Sequence, residues 1–431
     1  MRIYLDSVGC RLNQAEIERY ARQFRAAGHI LVADPEQAEL AVVNTCAVTS
    51  AAASDSRGKV RQISRFGLEQ VIVTGCWSTL KPVEAAALPG VTRVVANAAK
   101  DNLVPDLLQI PAEDFDLEPI ARQPIPGARL RTRLFIKVQD GCDNRCTFCI
   151  TTVARGPGRS RSLPDMLADI RQALMGASDD PGNAVQEIVL TGVHLGSWGQ
   201  DISPSVHLRD LVKAILDETA TPRLRLSSLE PWDLDSSFFR LWEDPRLCRH
   251  LHLPLQSGSR TVLRRMARKT TPESFSELVA AARTTIPGIA ITTDVIAGFP
   301  GENEAEFEES LRFVRQMRFA GGHVFTYSPR PGTAAARMPG QVPPPIRKER
   351  SARLRQALDE AASEYQAGFI GAVLPVLWES ATAVGPEGWE MSGLTDNYLR
   401  VQARASRHLW NQITPVQLKQ VTNTGLQGSI Q

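Results

Sequence analysis

Short apolar runs and amphipathic segments alternate along the first hundred residues. RIYLDSV reads as a strand, and QAEIERYARQFRAAG then repeats apolar residues at helical spacing and closes at Gly28, a common helix stop. ELAVVNT, a helical stretch over roughly 50–65, QVIVTG and VTRVVA continue the series. Strands alternating with helices predict βαβ units and an open parallel sheet.

Residues 101–127 read as a linker, proline-bearing and acidic in the middle (EDFDLE). A second βα series follows, with LFIKVQD, EIVLTGV, RLRLSSL, HLHLPL, IAITTDVIAGF and GGHVFTYS as six strand candidates. Helical segments at 164–174, 207–219, 273–284 and 303–317 separate most of them. Six such units predict a partial (β/α)6 barrel, whose active residues gather at the strand carboxyl ends. PGQVPPPIRKER marks another boundary, and a polar helix over 346–366 leads out of it. AVLPVLWES, GWEMSGL, NYLRVQAR and ITPVQLKQV then read as the short strands of a small β-barrel. The expected fold class is therefore α/β with an appended β-barrel, divided at 1–112, 128–362 and 365–431.

Length and composition narrow this little: 431 residues fit two to three domains, and 43% apolar with 22% charged residues is ordinary for a folded chain. No stretch approaches the roughly 18 apolar residues of a membrane span. MRIYLDSVGC lacks the features of a signal peptide, so the expectation is a cytoplasmic protein with no membrane partner.

The cysteines change the picture. There are seven, an odd number, and three crowd into GCDNRCTFC while Cys10, Cys46, Cys76 and Cys248 stand apart. A secreted disulfide framework would be denser and even-numbered. Cys142, Cys146 and Cys149 have the spacing C-x3-C-x2-C, directly after the first barrel strand. Three thiolates are one short of the four that fill a four-iron cluster, leaving one iron open to a non-protein ligand. S-adenosylmethionine (SAM) supplies such a ligand through its amino and carboxylate groups, and a low-potential cluster can split its carbon–sulfur bond. Structural zinc is the rival, but it wants four closed ligands, usually from paired C-x2-C elements, and no partner pair is near. The isolated Cys10, Cys46 and Cys76 each sit just past a strand of the first series, where open parallel sheets bind ligands. They read either as a converging ligand set or as buried structural thiols. Cys248 has no companion and reads as structural.

Other strand ends carry polar groups. His194, between Gly192 and Gly196, ends one strand; Glu230, Gln256 and Asp294 end others. Each is a candidate SAM or substrate contact, and each could equally cap a helix or close a turn. Basic residues cluster at 122–161 (Arg122, Arg129, Arg131, Arg133, Lys137, Arg145, Arg155, Arg159 and Arg161), at 260–269 and at 347–355. Such patches suit a polyanion such as RNA, or solvated helix faces.

VQDGCDNRCTFCI followed by ARGPGRSRS resembles the methylthiotransferases, a branch of the radical SAM enzymes. SVGCRLN, VVNTCAVT and VTGCW are similar to that family's N-terminal cluster domain. LTGVHLGSWG, SSLEPWDL, HLPLQSGS and DVIAGFPGENEAEF are similar to its radical SAM core, and FIGAVLPVLWE with GLTDNYLRVQA to its RNA-binding TRAM barrel. The matches run in family order over nearly the whole chain. The resemblance implies two [4Fe-4S] clusters, the second on Cys10, Cys46 and Cys76 carrying the sulfur to be transferred. It implies SAM as source of both methyl group and radical, with tRNA, an electron donor such as a flavodoxin or ferredoxin, and a sulfur source as partners.

Of the family's substrate classes, KVQDGCDN and CRLNQAE resemble the branch acting on threonylcarbamoyladenosine beside the tRNA anticodon. Isopentenyladenosine in tRNA and a ribosomal-protein aspartate are the alternatives, and a non-catalytic RNA-binding iron–sulfur protein is one of another class. Thr151, Thr152 and the run MARKTT depart from the family pattern and bear on substrate fit rather than on the cluster ligands. The C-terminal region carries five acidic against four basic residues over 362–431. Arg400, Arg404 and Arg407 with Trp389, Tyr398 and Trp410 are its candidates for RNA contact, unless the aromatics are core.

Overall fold

The computed structural model describes residues 1–111, 125–126, 132–175, 184–202, 206–385 and 388–431. Most of the expected linker over 101–127 lies outside these residues, as do Arg122, Arg129, Arg131 and Glu387.

The chain begins with β1 (Arg2–Ser7), α1 (Arg11–Ala26), β2 (Ile30–Leu31), β3 (Leu40–Thr45) and α2 (Ser50–Ser64). β4 (Gln70–Gly75), α3 (Cys76–Leu80), α4 (Pro82–Ala86), β5 (Val91–Val95) and α5 (Leu103–Leu108) follow. The strands pair in parallel in the order β2-β1-β3-β4-β5. Every residue of β3 is buried, because helices cover both faces of the sheet. On one face Ile3 and Leu5 pack with Ile17, Tyr20 and Phe24 of α1; on the other Val43 and Val73 pack with Val60, Ile63 and Trp77. α5 corrects the expected linker: Leu103 and Val104 join the first of these cores, so the sheet's own packing extends past residue 101.

Next come β6 (Arg133–Lys137), β7 (Gln139–Asp140), α6 (Thr151–Arg155), β8 (Arg159–Ser160), α7 (Leu163–Met175) and β9 (Glu187–Thr191). α8 (Leu208–Glu218), β10 (Leu224–Leu226), β11 (His250–His252), α9 (Arg260–Arg265) and α10 (Pro272–Thr285) continue the series. β12 (Ala290–Ala297), α11 (Glu304–Met317) and β13 (Gly321–Thr326) complete it. Six of these strands form two parallel three-stranded sheets, β6-β9-β10 and β11-β12-β13. Parallel bridges Leu224↔Leu247 and Ser228↔His252 join them into one arc, a partial barrel. Ile188, Leu226, Leu251, Ile291, Phe275 and Phe307 fill its interior and its contacts with the helices.

α12 (Pro344–Ala367) leads to β14 (Val373–Gly385), β15 (Gly388–Thr395), β16 (Arg400–Ala405), β17 (Ile413–Thr422) and β18 (Gly425–Ile430). These close into a barrel in the order β14-β15-β16-β18-β17. β18 was not legible: GLQGSI has two glycines and little β-branching, and its pairing with β16 and β17 makes it a strand. The barrel docks firmly on the arc. Buried Arg225 holds Glu187 at 2.6 and 3.1 Å and donates to the carbonyls of Thr395 and Asp396, while Arg249 grips the Asp396 carboxylate. Among the described residues, no helix is long and apolar enough to cross a membrane.

Candidate functional site

Cys142, Cys146 and Cys149 lie on the loop between β7 and α6, half-buried and free of disulfides. Gly141 starts the loop at φ +74°, and a Cβ there would lie 1.8 Å from the carbonyl oxygen of Pro157, so only glycine fits. The loop is tied down by its backbone: Cys142 N donates to Gly156 O at 3.0 Å, Cys149 N to Cys146 O at 3.1 Å, and Thr147 N to Met266 O at 3.0 Å.

Residues from neighbouring strand ends surround these thiols. Arg268 reaches Cys146 Sγ at 3.8 Å and forms a two-pronged pair with Glu230 at 3.0 and 2.6 Å. Burial pushes the Cys146 thiol up, and the Arg268 guanidinium opposes that rise. His194 Nε2 meets Asp233 Oδ2 at 2.7 Å, and its ring also contacts Asn144. Burial alone would lower its pKa, but hydrogen bonds to Asp233 and Cys142 outweigh it and raise it to about 10. Gln139 links the loop to β9, accepting from His194 N at 2.9 Å and donating to Gly141 O at 2.9 Å. Gly192 leaves room for that Gln139 side chain, 3.1 Å from where a Cβ would sit.

Gln256 and Asp294 lie on the far half of the arc, where Gln256 N donates to Asp294 O at 2.8 Å. Asp294 Oδ2 faces His252 at 3.3 Å, while Oδ1 is buried with no hydrogen-bond partner among the described residues. Ser227 Oγ and Trp232 Nε1 are orphaned in the same way. Asp294 lies within β12 rather than at its end, while Ser227 and Trp232 follow β10. Buried polar atoms without partners are uncommon, and these three on one arc suit a polar small molecule.

The N-terminal cysteines occupy equivalent places on the first sheet. Cys10 precedes α1, Cys46 follows β3, and Cys76 begins α3 directly after β4. Their loops converge: a Cβ on Gly9 would lie 2.5 Å from Cys46 Sγ, and Gly9 has φ +102°. Asn13 staples two of these loops, donating to Val8 O at 2.8 Å and Thr45 O at 3.2 Å. Ser56 exchanges hydrogen bonds with the Cys46 backbone, and Asn97 donates to Cys76 Sγ at 3.6 Å. Burial raises the Cys46 thiol pKa, with the nearby Cys10 and Cys76 adding to the rise.

Among the described residues, no three His, Cys, Asp or Glu side chains close on one point as a single metal ion requires. A four-iron cluster instead takes one thiolate at each of separate irons, and two sets of three free cysteines with N–H donors around them fit that group. Cys248 belongs to neither set. It is buried beside Glu187, and burial pushes its thiol up to about 12.

Sequence reasoning missed Asp233, Arg268 and Asn97 as site residues. Asp233 had a signal, lying three residues past Glu230 at the same strand end; Arg268 and Asn97 come from loops whose paths only the fold determines. The basic stretches need correction, since many of their cations are held in ion pairs within the chain. Arg133 pairs with Glu379, Arg161 with Asp169, Arg265 with Glu306, and Arg350 with Glu302 and Glu304. Tyr398 also leaves the set of free stacking residues: it stacks on His250 at 4.4 Å, under Arg225 at 5.1 Å. Arg400, Arg404 and Arg407 are exposed on the barrel.

Comparison with known proteins agrees with this geometry. The model of an uncharacterized protein family, UPF0004, matches residues 2–96, and that of the radical SAM superfamily matches residues 136–314. The chain is 34% identical over 423 residues to the threonylcarbamoyladenosine tRNA methylthiotransferase MtaB of Bacillus subtilis, covering 96% of this chain and 92% of the relative. It is 35% identical to the protein of the same name from Thermotoga maritima, covering 92% and 90%. The tRNA-2-methylthio-N(6)-dimethylallyladenosine synthase of Acetivibrio thermocellus is 30% identical, covering 99% and 90%. In fold, the chain is similar to the radical SAM methyltransferase TsrM of Kitasatospora setae, at TM-score 0.58 and 14% identity, covering 90% of this chain and 80% of that one. With relatives this similar along almost its full length, the chain belongs to the radical SAM methylthiotransferases.

Proposed function

We propose that this enzyme places a methylthio group on threonylcarbamoyladenosine beside the anticodon of tRNA, replacing one hydrogen of the base. One observation carries the reaction class: two sets of three free cysteines stand at strand ends on adjoining sheets, bridged by α6. The substrate rests on the two relatives at 34% and 35% identity, both threonylcarbamoyladenosine tRNA methylthiotransferases.

In this reading Cys142, Cys146 and Cys149 hold one [4Fe-4S] cluster, and Cys10, Cys46 and Cys76 hold a second. When bound, the first supplies the electron that cleaves SAM and the second supplies sulfur. Arg268 keeps a positive charge on Cys146 and fixes Glu230. Asp233 orients His194, whose backbone is held by Gln139. Gly192, His194, Glu230, Gln256 and Asp294 line the arc's mouth as SAM or substrate contacts, with the orphaned Asp294 Oδ1 as an acceptor for an N–H or O–H group. The barrel over 365–431 presents Arg400, Arg404 and Arg407 to tRNA phosphates. An electron donor such as a flavodoxin or ferredoxin and an external sulfur source complete the cycle.

The test is anaerobic incubation of the reconstituted enzyme with SAM, dithionite and tRNA carrying threonylcarbamoyladenosine, or tRNA carrying isopentenyladenosine. Mass spectrometry of the digested nucleosides should find the methylthio product in the first tRNA. Product only in the second would move the enzyme to the isopentenyladenosine branch.

A further inference from the structure

A group of charges is buried between the N-terminal sheet and the central strands. Lys100 Nζ lies 2.5 Å from Glu16 and 3.4 Å from Asp140; Lys137 Nζ lies 3.5 Å and 3.3 Å from the same two carboxylates. Arg155 Nη1 touches both as well, at 3.2 and 2.8 Å. All five side chains are at most 9% exposed, and Asp101, which also bonds Lys137, is 42% exposed. Three buried cations thus face two buried carboxylates and the part-exposed Asp101, which meets Lys137 at 2.6 Å. Burying a charge is costly unless an anion meets it.

The geometry shows which other groups Arg155 serves. Arg155 lies within electrostatic reach of Cys10 and Cys76. Its Nη2 donates to Asn13 Oδ1 at 3.0 Å, the same oxygen that accepts from Cys10 Sγ at 3.6 Å. The preceding residue works in parallel: Ala154 O accepts from Asn97 Nδ2 at 2.7 Å, and that nitrogen also donates to Cys76 Sγ. Two successive residues of α6 therefore serve two N-terminal cysteines, although α6 begins two residues after Cys149. Arg155 belongs in sequence to the core loop and in space to the other cysteine set.

We propose that Arg155 is a positioning residue for the N-terminal cysteines, supplying the cation that offsets the thiolates of Cys10 and Cys76 and holding them in register with the core loop. The proposal rests on the reading of Cys10, Cys46 and Cys76 as cluster ligands. A cation near a cluster stabilises its reduced form, so removing the cation lowers the reduction potential. A purely structural ion pair between two parts of the chain would leave the potential where it was.

The test uses the full chain with Cys142, Cys146 and Cys149 all changed to alanine, reconstituted anaerobically with iron and sulfide, so that only the N-terminal site reports. Iron content and a dithionite titration followed by electron paramagnetic resonance are compared for Arg155, Arg155→Lys and Arg155→Gln. Arg155→Gln is expected to lower the equilibrium constant for one-electron reduction about tenfold, or about 59 mV, and Arg155→Lys to restore most of it. Should Arg155→Gln fail to fold, Arg155→Gln with Glu16→Gln removes one cation and one anion together, and a smaller fall of the same sign is expected, because Arg155 acts on Cys10 and Cys76 more directly than Glu16 does. Iron retained with an unmoved potential, or a fall as large in Arg155→Lys as in Arg155→Gln, would overturn the proposal alone. No iron in the parent with Arg155 intact would overturn the cluster reading and the proposal with it.

Discussion

The two cysteine sets reach similar chemistry by different routes. Cys142, Cys146 and Cys149 come from one loop, and that loop's backbone bonds and Gly141 fix them within eight residues. Cys10, Cys46 and Cys76 come from three strand ends, and the order β1-β3-β4 in the sheet brings them together. The first set is a local motif; the second is a property of the topology. Their electrostatics differ too. Arg268 beside Cys146 is matched by Glu230 alone, a closed pair, whereas Arg155 near Cys10 and Cys76 shares Glu16 and Asp140 with Lys100 and Lys137 in a wider buried network. A site built by topology depends on charges and bonds from distant segments, so it should be the more sensitive to changes far from its ligands.

The sharpest way to separate the two sets is to remove one cysteine from each. Cys146→Ala is expected to abolish both SAM cleavage and product, a loss of more than about 100-fold in deoxyadenosine formed. Cys46→Ala should keep deoxyadenosine formation and lose the methylthio nucleoside. Equal loss of deoxyadenosine in both variants would break the division of labour.

The next effects are on stability. Arg268→Ala removes one partner of a pair in which the arginine is 1% and Glu230 22% exposed. Breaking such a pair is expected to cost about 3 kcal/mol, the low end for buried pairs because Glu230 keeps some water. Urea denaturation measures it.

Glu16 makes the corresponding test on the other side. Burial alone would raise its pKa, and Lys100, Arg155 and Lys137 outweigh burial and hold it at about 2, below its ordinary 4.5. The folded state thus binds fewer protons at this carboxyl than the unfolded chain. Its contribution is fully present above pH 4.5 and is lost as pH falls toward about 2. The shift corresponds to on the order of 3 kcal/mol. Glu16→Gln should be less stable at neutral pH and should flatten the acid limb between those values, checked by denaturation across pH. An acid limb as steep as that of the parent would remove Glu16 from the network's working charges.

The smallest effect concerns RNA. Arg404→Ala and Arg407→Ala each remove an exposed cation, and each should reduce the salt slope of tRNA binding by about 0.7–0.9 if it meets a phosphate. An unchanged slope would take that arginine out of the interface.

Much of this was legible in the sequence because periodicity and position carry it. The parallel sheet, the six-strand arc and the core cysteine loop follow from strand patterns and one spacing. The N-terminal cysteines were legible only as residues at equivalent strand ends, which left a structural role open. What stayed hidden has a common cause. Glu16 sits in an amphipathic helix and Lys100 just before the stretch read as linker, so neither position signals burial in the sequence, and only the packing of α1 against β6 buries them. Tyr398 read as either an RNA-stacking or a core aromatic, and the docking of the barrel decides for the covered position. β18 needed two partner strands to become a strand at all.

The measurement closest to the central claim is iron per chain after anaerobic reconstitution, in the intact protein and in the variant with Cys10, Cys46 and Cys76 all changed to alanine. The account predicts about eight irons falling to about four. About four in both would contradict it, leaving the N-terminal cysteines without a cluster and the sulfur without a place on this chain.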